Sequence, residues 1–332
     1  PLSNRKITVK DLAQLCGVSI GTIDRAINNR GGINPETKQK ILDAAAKYGY
    51  VKNQNARTLS SGSSNLIGVI IFNLKNEFPS ALLTSIEAEA SRRGYSTLIM
   101  LSNYSDKTER DCVTRMRSMN VAGIIAMSVV TDAEYYRSLI RGGTNIVAVG
   151  NRIGADIPYV GIDDLAAMRA STEYVLSRGY ERLVYVAPLL EKAATQNIGA
   201  QSERFSGFLD AIGLTEAKLD STGAGFSSGR VEYEVIDRYD SYERRIAECA
   251  KSPRRTAFIC PSDTYTVKCL PTLERGCGVI GFDRLGIIGS LIPELSGIAY
   301  PTEDIGRLAV DCLLDGGQGQ ILPYELIFGK TV

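Results

Sequence analysis

From residue 66 onward the chain alternates between two hydrophobic rhythms. Short continuous apolar runs fall at 66–72, 95–101, 121–128, 145–150, 182–187, 256–260 and 278–282. Between them lie amphipathic segments of helical period, for example 80–93, 108–119, 165–178 and 303–314. Continuous apolar strands alternating with helices predict parallel sheets covered on both faces. The stretch is longer than one such sheet usually needs, so two lobes are expected.

The first fifty residues follow a different pattern, that of three short helices. Thr8-Val9-Lys10-Asp11 has the spacing of a capping box, and Leu12, Ala13 and Leu15 continue an apolar face to about Cys16. Gly17 breaks the pattern and Ser19 restarts it as an N-cap for Ile23, Ala26 and Ile27. This helix stops at Asn28-Asn29. Asn34-Pro35 opens a third helix with the face Ile41, Leu42, Ala45 and Tyr48, closed by Gly49. Two short helices joined through a Gly turn, with a third to bury their faces, form a helix-turn-helix arrangement. In that arrangement the start of the second helix enters the major groove. Here it offers Ser19, Ile20, Gly21 and Thr22, with Arg25 one turn on. Arg25 can present two donors to guanine or phosphate. Ser19 and Thr22 can bond phosphate at the positive helix end. A generic three-helix protein-binding domain would share the pattern.

Charge sharpens the division. Residues 1–62 carry ten Lys and Arg against four Asp and Glu, and the rest of the chain carries 28 against 33. A basic head on an acidic body points to a polyanionic partner for the head. The chain has no histidine, which excludes Ser-His-Asp and Cys-His catalysis and His-ligated zinc. Its seven cysteines are scattered, without C-x-x-C, and read as reduced cytoplasmic thiols, each a small buried apolar residue. No apolar run approaches a membrane span, and residues 1–10 show no signal-peptide core. Gly276-Cys277-Gly278-Val279-Ile280-Gly281 matches G-x-G-x-x-G, but Val279–Phe282 reads as the strand itself, where the dinucleotide fingerprint must follow one. No cofactor is expected.

The run from Ile7 to Asn28 closely resembles the head of the LacI/GalR family of bacterial transcription regulators. So do Asn34-Pro35-Glu36-Thr37-Lys38 and Lys47-Tyr48-Gly49-Tyr50. Asn53-Gln54-Asn55-Ala56-Arg57-Thr58-Leu59 resembles that family's hinge helix. The resemblance implies base reading by Ile20, Gly21 and Arg25, and a minor-groove wedge at Leu59 with the small Ala56 beside it and Asn53 starting the hinge. Thr8, Ser19, Thr22, Asn28 and Arg57 complete the implied DNA-binding set. Two positions depart from the family. Asp24 stands where many members have a phosphate-contacting Ser, so it must face away or pair with a basic neighbour, and Gly21 offers no side chain.

The body resembles the same family's effector module, similar to type I periplasmic sugar-binding proteins. The matching motifs are Val160-Gly161-Ile162-Asp163-Asp164, Ser202-Glu203-Arg204-Phe205-Ser206-Gly207-Phe208, Cys260-Pro261-Ser262-Asp263 and Val279-Ile280-Gly281-Phe282-Asp283. The resemblance implies two doubly wound lobes joined by three crossovers. Residues 66 to about 161 and roughly 285–300 would build the lobe next to DNA. Open sheets bind ligands at the carboxyl ends of their strands. The polar and aromatic residues there are Asn73, Asn76, Phe78, Asn151, Arg152, Ser262, Asp263 and Asp283. The resemblance adds Arg204 as an effector contact and Asp283 as its acid. An Arg, acids, amides and an aromatic ring suit a polyhydroxylated ligand, although each residue alone also reads as a cap or loop residue. The chain is shorter than the family pattern between Gly276 and Val279 and terse around 221–230.

The expected organisation is therefore a small all-α helix-turn-helix head (1–52), a hinge helix and Ser/Gly linker (53–65), and a two-lobed α/β effector and dimerisation module (66–332). The expected protein is a cytoplasmic, homodimeric regulator, a repressor by preference, that binds double-stranded operator DNA under control of a sugar or polyol. The alternatives are a sugar-modifying enzyme or a solute-binding protein carrying an accessory basic head.

Overall fold

The structure is a computed structural model that describes residues 7–50, 64–215, 224–227, 231–238, 241–283 and 286–332. It divides into two compact units, Pro1–Ser64 and Asn65–Val332.

In the first unit, α1 (Val9–Cys16), α2 (Ile20–Ile27) and α3 (Pro35–Lys47) enclose a small core of Leu12, Ala13, Cys16, Ile23, Ala26 and Ile41. Thr8 and Asp11 form the capping box: the Asp11 carboxylate accepts the Thr8 N–H at 2.8 Å, and Thr8 Oγ1 accepts the Asp11 N–H at 3.3 Å. Gly17 ends α1 at φ 69°, a left-handed conformation that any other residue would hold under strain, and this lets Ser19 cap α2 two residues later. Leu15, Leu42 and Tyr48, expected on the inner faces, are exposed. Cys16 and Ile41 take the buried positions beside them, on the faces that the small core reaches.

The second unit holds two sheets. The first comprises β1 (Leu66–Ile71), β2 (Ser96–Leu101), β3 (Gly123–Ala126), β4 (Ile146–Val149), β5 (Tyr159–Gly161) and β12 (Gly319–Ile321), all parallel, in the order β12-β5-β4-β3-β1-β2. Helices α4 (Glu77–Arg92), α5 (Asp106–Ser118), α6 (Ala133–Arg141) and α12 (Thr302–Asp315) belong to this lobe. The second sheet comprises β6 (Arg182–Val186), β7 (Ala224–Ser227), β8 (Val231–Ile236), β9 (Thr256–Ile259), β10 (Gly278–Asp283), β11 (Ser296–Ala299) and β13 (Glu325–Ile327), in the order β13-β11-β10-β9-β6-β8-β7. Its helices are α7 (Asp164–Ser177), α8 (Gly199–Ala211), α9 (Tyr242–Cys249), α10 (Asp263–Cys269) and α11 (Gly286–Leu291).

Two expectations change. The second sheet is not wholly parallel: β7 runs antiparallel to β8 and β13 to β11. Only three residues separate β7 from β8, too few for a parallel crossover. Residues 285–300 do not belong to the first lobe. β11 pairs with β10 in the second sheet, Ile280 opposite Ser296, with α11 between them as a crossover helix that keeps both strands in one sheet. The segment that returns to the first lobe is 302–321, as α12 and β12. The chain thus passes between sheets three times, after β5, after β11 and after β12.

Two features set the geometry near the strand ends. The first is the fit of α7 against α8. A Cβ at Gly207 would lie well inside van der Waals contact with the Leu165 carbonyl oxygen, a clash with backbone, so the two helices touch with nothing between them. The second is Glu109 on α5, which is completely buried. Its carboxylate accepts hydrogen bonds from Ser128 Oγ (2.5 Å), Tyr136 OH (2.5 Å) and the Val129 N–H (2.8 Å), fixing the loop after β3. Burial raises the Glu109 carboxyl above the usual glutamate range, against the pull of these donors.

Gly207→Ala should therefore destabilise the body by about 1–3 kcal/mol, the scale of overpacking at an unyielding contact, measured by urea unfolding. A second expectation concerns pH. A carboxyl whose folded pKa is raised stabilises fully below its unfolded value, near 4.5, and loses that contribution as pH rises through the folded value. Glu109→Gln abolishes this loss, so the variant should gain stability relative to the parent between pH 4.5 and 7.5. Urea unfolding of both proteins across that range measures the trend; a relative loss would mean that the three donors outweigh burial.

Candidate functional site

On the head, the exposed end of α2 carries Ser19, Ile20, Gly21 and Arg25, with Thr22 half-buried. Ile20 is 46% exposed, an apolar side chain turned to solvent next to a cap. Ser19 Oγ accepts the Thr22 N–H at 3.2 Å and lies 2.9 Å from the Thr22 hydroxyl, so the two hydroxyls sit together at the helix N-terminus. Asp24 accepts hydrogen bonds from Asn28 Nδ2 (2.6 Å) and Arg30 Nη1 (3.2 Å). The acid is thereby paired with a basic neighbour and holds the Asn28 amide. Thr8 is exposed, and its hydroxyl donates to Asp11 at 2.6 Å. Asn53, Ala56, Arg57 and Leu59 lie outside the described residues.

In the body, a cleft of about 370 Å³ opens at the carboxyl ends of both sheets. Most of the inner strand ends contribute. Phe72, Asn76 and Phe78 follow β1, Met127 and Val129 follow β3, and Gly150 and Asn151 follow β4. Pro188 and Leu189 follow β6, Ser262 and Asp263 follow β9, Asp283 ends β10 and Tyr300 follows β11. This is where open parallel sheets place their ligands, because the strand-to-helix loops meet there.

Arg204, on α8, is the charged centre of the cleft. It is buried, stacks 3.7 Å above the Phe282 ring, and donates from Nε to Asp164 (2.7 Å) and from Nη1 to the Pro261 carbonyl (2.5 Å) and Asp283 (3.3 Å). Burial works against the guanidinium charge, but Asp164 and Asp283 outweigh it and raise the Arg204 pKa, so Arg204 stays charged. Burial in turn raises the Asp164 carboxyl, against the pull of Arg204. Asp283 Oδ1 also accepts the Tyr300 hydroxyl at 2.6 Å, and burial beside this acid raises the Tyr300 phenol. The Asp283 backbone is in the left-handed region at φ 80°, costly for a non-glycine residue and held by these bonds.

Seven of the nine sequence-predicted effector residues line this cleft: Asn76, Phe78, Asn151, Arg204, Ser262, Asp263 and Asp283. Asn73 and Arg152 are not among its lining residues. Asn73 Oδ1 accepts the Lys75 N–H in a local turn. Arg152 stacks on Tyr159 at 4.1 Å and pairs with Glu203 at 3.4 Å. Asn151 lines the cleft but spends its amide as a tie, donating to the Ser128 and Asn197 carbonyls and accepting the Ala200 N–H. Sequence reasoning missed Tyr104, Asn197, Gln201, Asp164 and Tyr300. Gln201 lies three residues before Arg204 on one helix, so helical spacing could have found it. Its Oε1 is buried without a hydrogen-bond partner among the described residues. Tyr104 stacks on Phe72 at 4.6 Å from a loop with no periodic signal, and its carbonyl accepts Gln196 Nε2 at 2.8 Å. Val279–Phe282 lies within β10, so the G-x-G-x-x-G run leads into a strand and does not follow one, as its context indicated.

Residues 8–53 match the family model described as bacterial regulatory proteins, lacI family. Residues 64–221 match periplasmic binding proteins and sugar binding domain of LacI family, and 172–329 match a periplasmic binding protein-like domain. The chain is 28% identical over 309 residues to a ribose operon repressor of Bacillus subtilis, covering 92% of this chain and 90% of that one. It is 26% identical over 328 residues to a sucrose operon repressor of Streptococcus mutans, covering 97% and 98%. In fold it is similar to a crystal structure of the Lac repressor bound to ONPG, with a TM-score of 0.81 at 19% identity over 99% of this chain and all of that one. A capped helix-turn-helix head and a two-lobed body with a charged cleft at its strand ends, each matched by its own model, place this chain in the lacI family of bacterial regulatory proteins.

Proposed function

We propose that this protein is a homodimeric transcriptional regulator, a repressor, whose affinity for operator DNA is set by a small carbohydrate-like effector bound between the lobes of its body. The observation that carries this reading is Arg204 with Asp283: a buried guanidinium and a carboxylate at a strained backbone facing one cleft, in a chain whose head presents a capped recognition helix. A carboxylate and a guanidinium side by side accept from and donate to neighbouring hydroxyls, and Phe72, Phe78 and Tyr104 offer faces for the apolar side of a ring. The named relatives that regulate ribose and sucrose operons support the same ligand class.

The mechanism is a population shift. A ligand that favours one arrangement of the lobes favours whichever DNA affinity belongs to it, and linkage makes the coupling reciprocal. Each head of the dimer takes one half-site of a pseudo-palindrome. Ile20 and Arg25 read bases, with DNA shape read where Gly21 offers no side chain, while Ser19 and Thr22 bond phosphate at the positive end of α2. Asp24 has no phosphate role, since it neutralises Arg30 and holds Asn28. Asn53, Ala56, Arg57 and Leu59 carry the hinge and minor-groove contacts. The domain limits are the head at 1–52, the hinge at 53–65 and the effector module at 66–332. Binding DNA requires the cytoplasm, and among the described residues no helix is long and apolar enough to cross a membrane. The cleft works by binding and does not turn over its ligand.

Selection from random duplexes should return a pseudo-palindrome, and on that sequence Arg25→Ala should abolish selective gel shifts while leaving ligand-induced thermal stabilisation of the body intact. Asp283→Ala should do the reverse, removing the thermal shift while sparing selective DNA binding. Selective shifts by Arg25→Ala would overturn the assignment of α2, and an undiminished thermal shift in Asp283→Ala would overturn that of the cleft.

A further inference from the structure

The polar groups of the cleft are unevenly divided between donors and acceptors. Three buried carboxylates line it, Asp164, Asp263 and Asp283. Among the described lining residues Arg204 is the buried cation, and it is already committed to Asp164, Asp283 and the Pro261 carbonyl. Gln201 adds a buried acceptor oxygen without a partner among the described residues, and Ser262 a hydroxyl that can serve either way. The interior thus carries one positive charge against three acids and is rich in acceptors.

Two lysines stand at the rim. Lys75 is exposed and Lys192 half-buried, and Glu77 shares the rim with them. Ammonium groups that water still reaches, as at Lys75 and the half-buried Lys192, give little to an ion pair. They do not offset acids held where water is excluded.

Resting on the sugar-effector reading above, we propose that the cleft selects an uncharged polyhydroxylated ligand, a neutral sugar or polyol, and rejects its phosphorylated and carboxylated congeners. Hydroxyl groups can donate to the Asp283 and Asp263 carboxylates and to Gln201 Oε1, and accept from the Arg204 guanidinium. An ionised phosphate or carboxylate only accepts. It would compete with two carboxylates for one guanidinium and leave the acceptors of the cleft facing its own oxygens. Where desolvation is strong, such like-charge contact is costly. The stacked Phe72 and Tyr104 rings suit the same ligand, since their faces cover the apolar side of a sugar ring.

The test uses the full chain and matched probes: D-ribose with ribose 5-phosphate, D-glucose with glucose 6-phosphate and gluconate, D-fructose with fructose 6-phosphate, and sucrose and xylitol alone. Thermal shift identifies binders and calorimetry gives their affinities. The expected result is a neutral member that binds while its anionic partner binds about 50-fold more weakly or not at all, the scale of a unit like-charge repulsion in a partly desolvated site. Asp263→Asn should narrow that gap by admitting the anionic partner, an effect that a change in shape alone would not produce. An anionic probe that binds as well as its neutral partner, or better, overturns the charge selection and leaves the sugar reading standing. Binding by no probe of either kind overturns the sugar reading and this inference with it.

Discussion

The body of this protein is organised around one buried guanidinium. Arg204 joins Asp164, the first residue after the passage between sheets that follows β5, to Asp283 at the end of β10. Asp283 in turn receives the hydroxyl of Tyr300, which precedes the next passage, into α12. One charged side chain therefore ties two of the three strands of chain that connect the lobes. Removing Arg204 would leave two acids uncompensated in a medium that cannot solvate them, whereas Asp164 still balances the guanidinium when Asp283 is lost. The left-handed backbone at Asp283 is tolerated because Tyr300 and Arg204 hold its carboxylate.

A second set of ties lies on the other side of the cleft and is made of neutral groups. Asn197 donates its N–H to Val129 at 2.8 Å and its side-chain amide to Arg152 at 2.8 Å, while Asn151 binds the Asn197 carbonyl at 2.9 Å. Val129 is itself placed by Glu109 at the back of the first lobe. Neutral hydrogen bonds of this kind exchange readily with water and contribute modestly each. The two sets of ties thus differ in kind, one held by buried charge and the other by neutral donors and acceptors.

The head was legible almost residue by residue, because its signals are local. A capping box, a glycine at φ 69° and an Asn-Pro start each act within four residues of chain. What the pattern got wrong there, the inward placement of Leu15, Leu42 and Tyr48, concerns which of several apolar neighbours a very small core has room for. In the body, long runs such as β1 and β3 announced themselves, whereas three-residue strands such as β5, β12 and β13 carry no period to read. β8 escaped notice because Glu232 and Glu234 interrupt its apolar run; both acids are paired, Glu234 with Arg182 at 2.6 Å and Glu232 with Arg254 at 3.1 Å. The cleft was partly visible, since strand ends are predictable places for a site, but Asn73 and Arg152 share that address without lining the cleft.

The sequence by itself determined the division of the chain, with its basic head, its alternating body and the strand ends where polar residues gather. These follow from charge, period and local turn chemistry, which act between residues close together in the chain. Only the tertiary structure decided which lobe receives which late segment, sending β11 to the second sheet and α12 with β12 back to the first. It alone also showed that Arg204 is shared between two acids forty and seventy-nine positions away. Such pairings depend on three separate passages of the chain meeting at one point, and nothing in the local pattern of residues encodes that meeting.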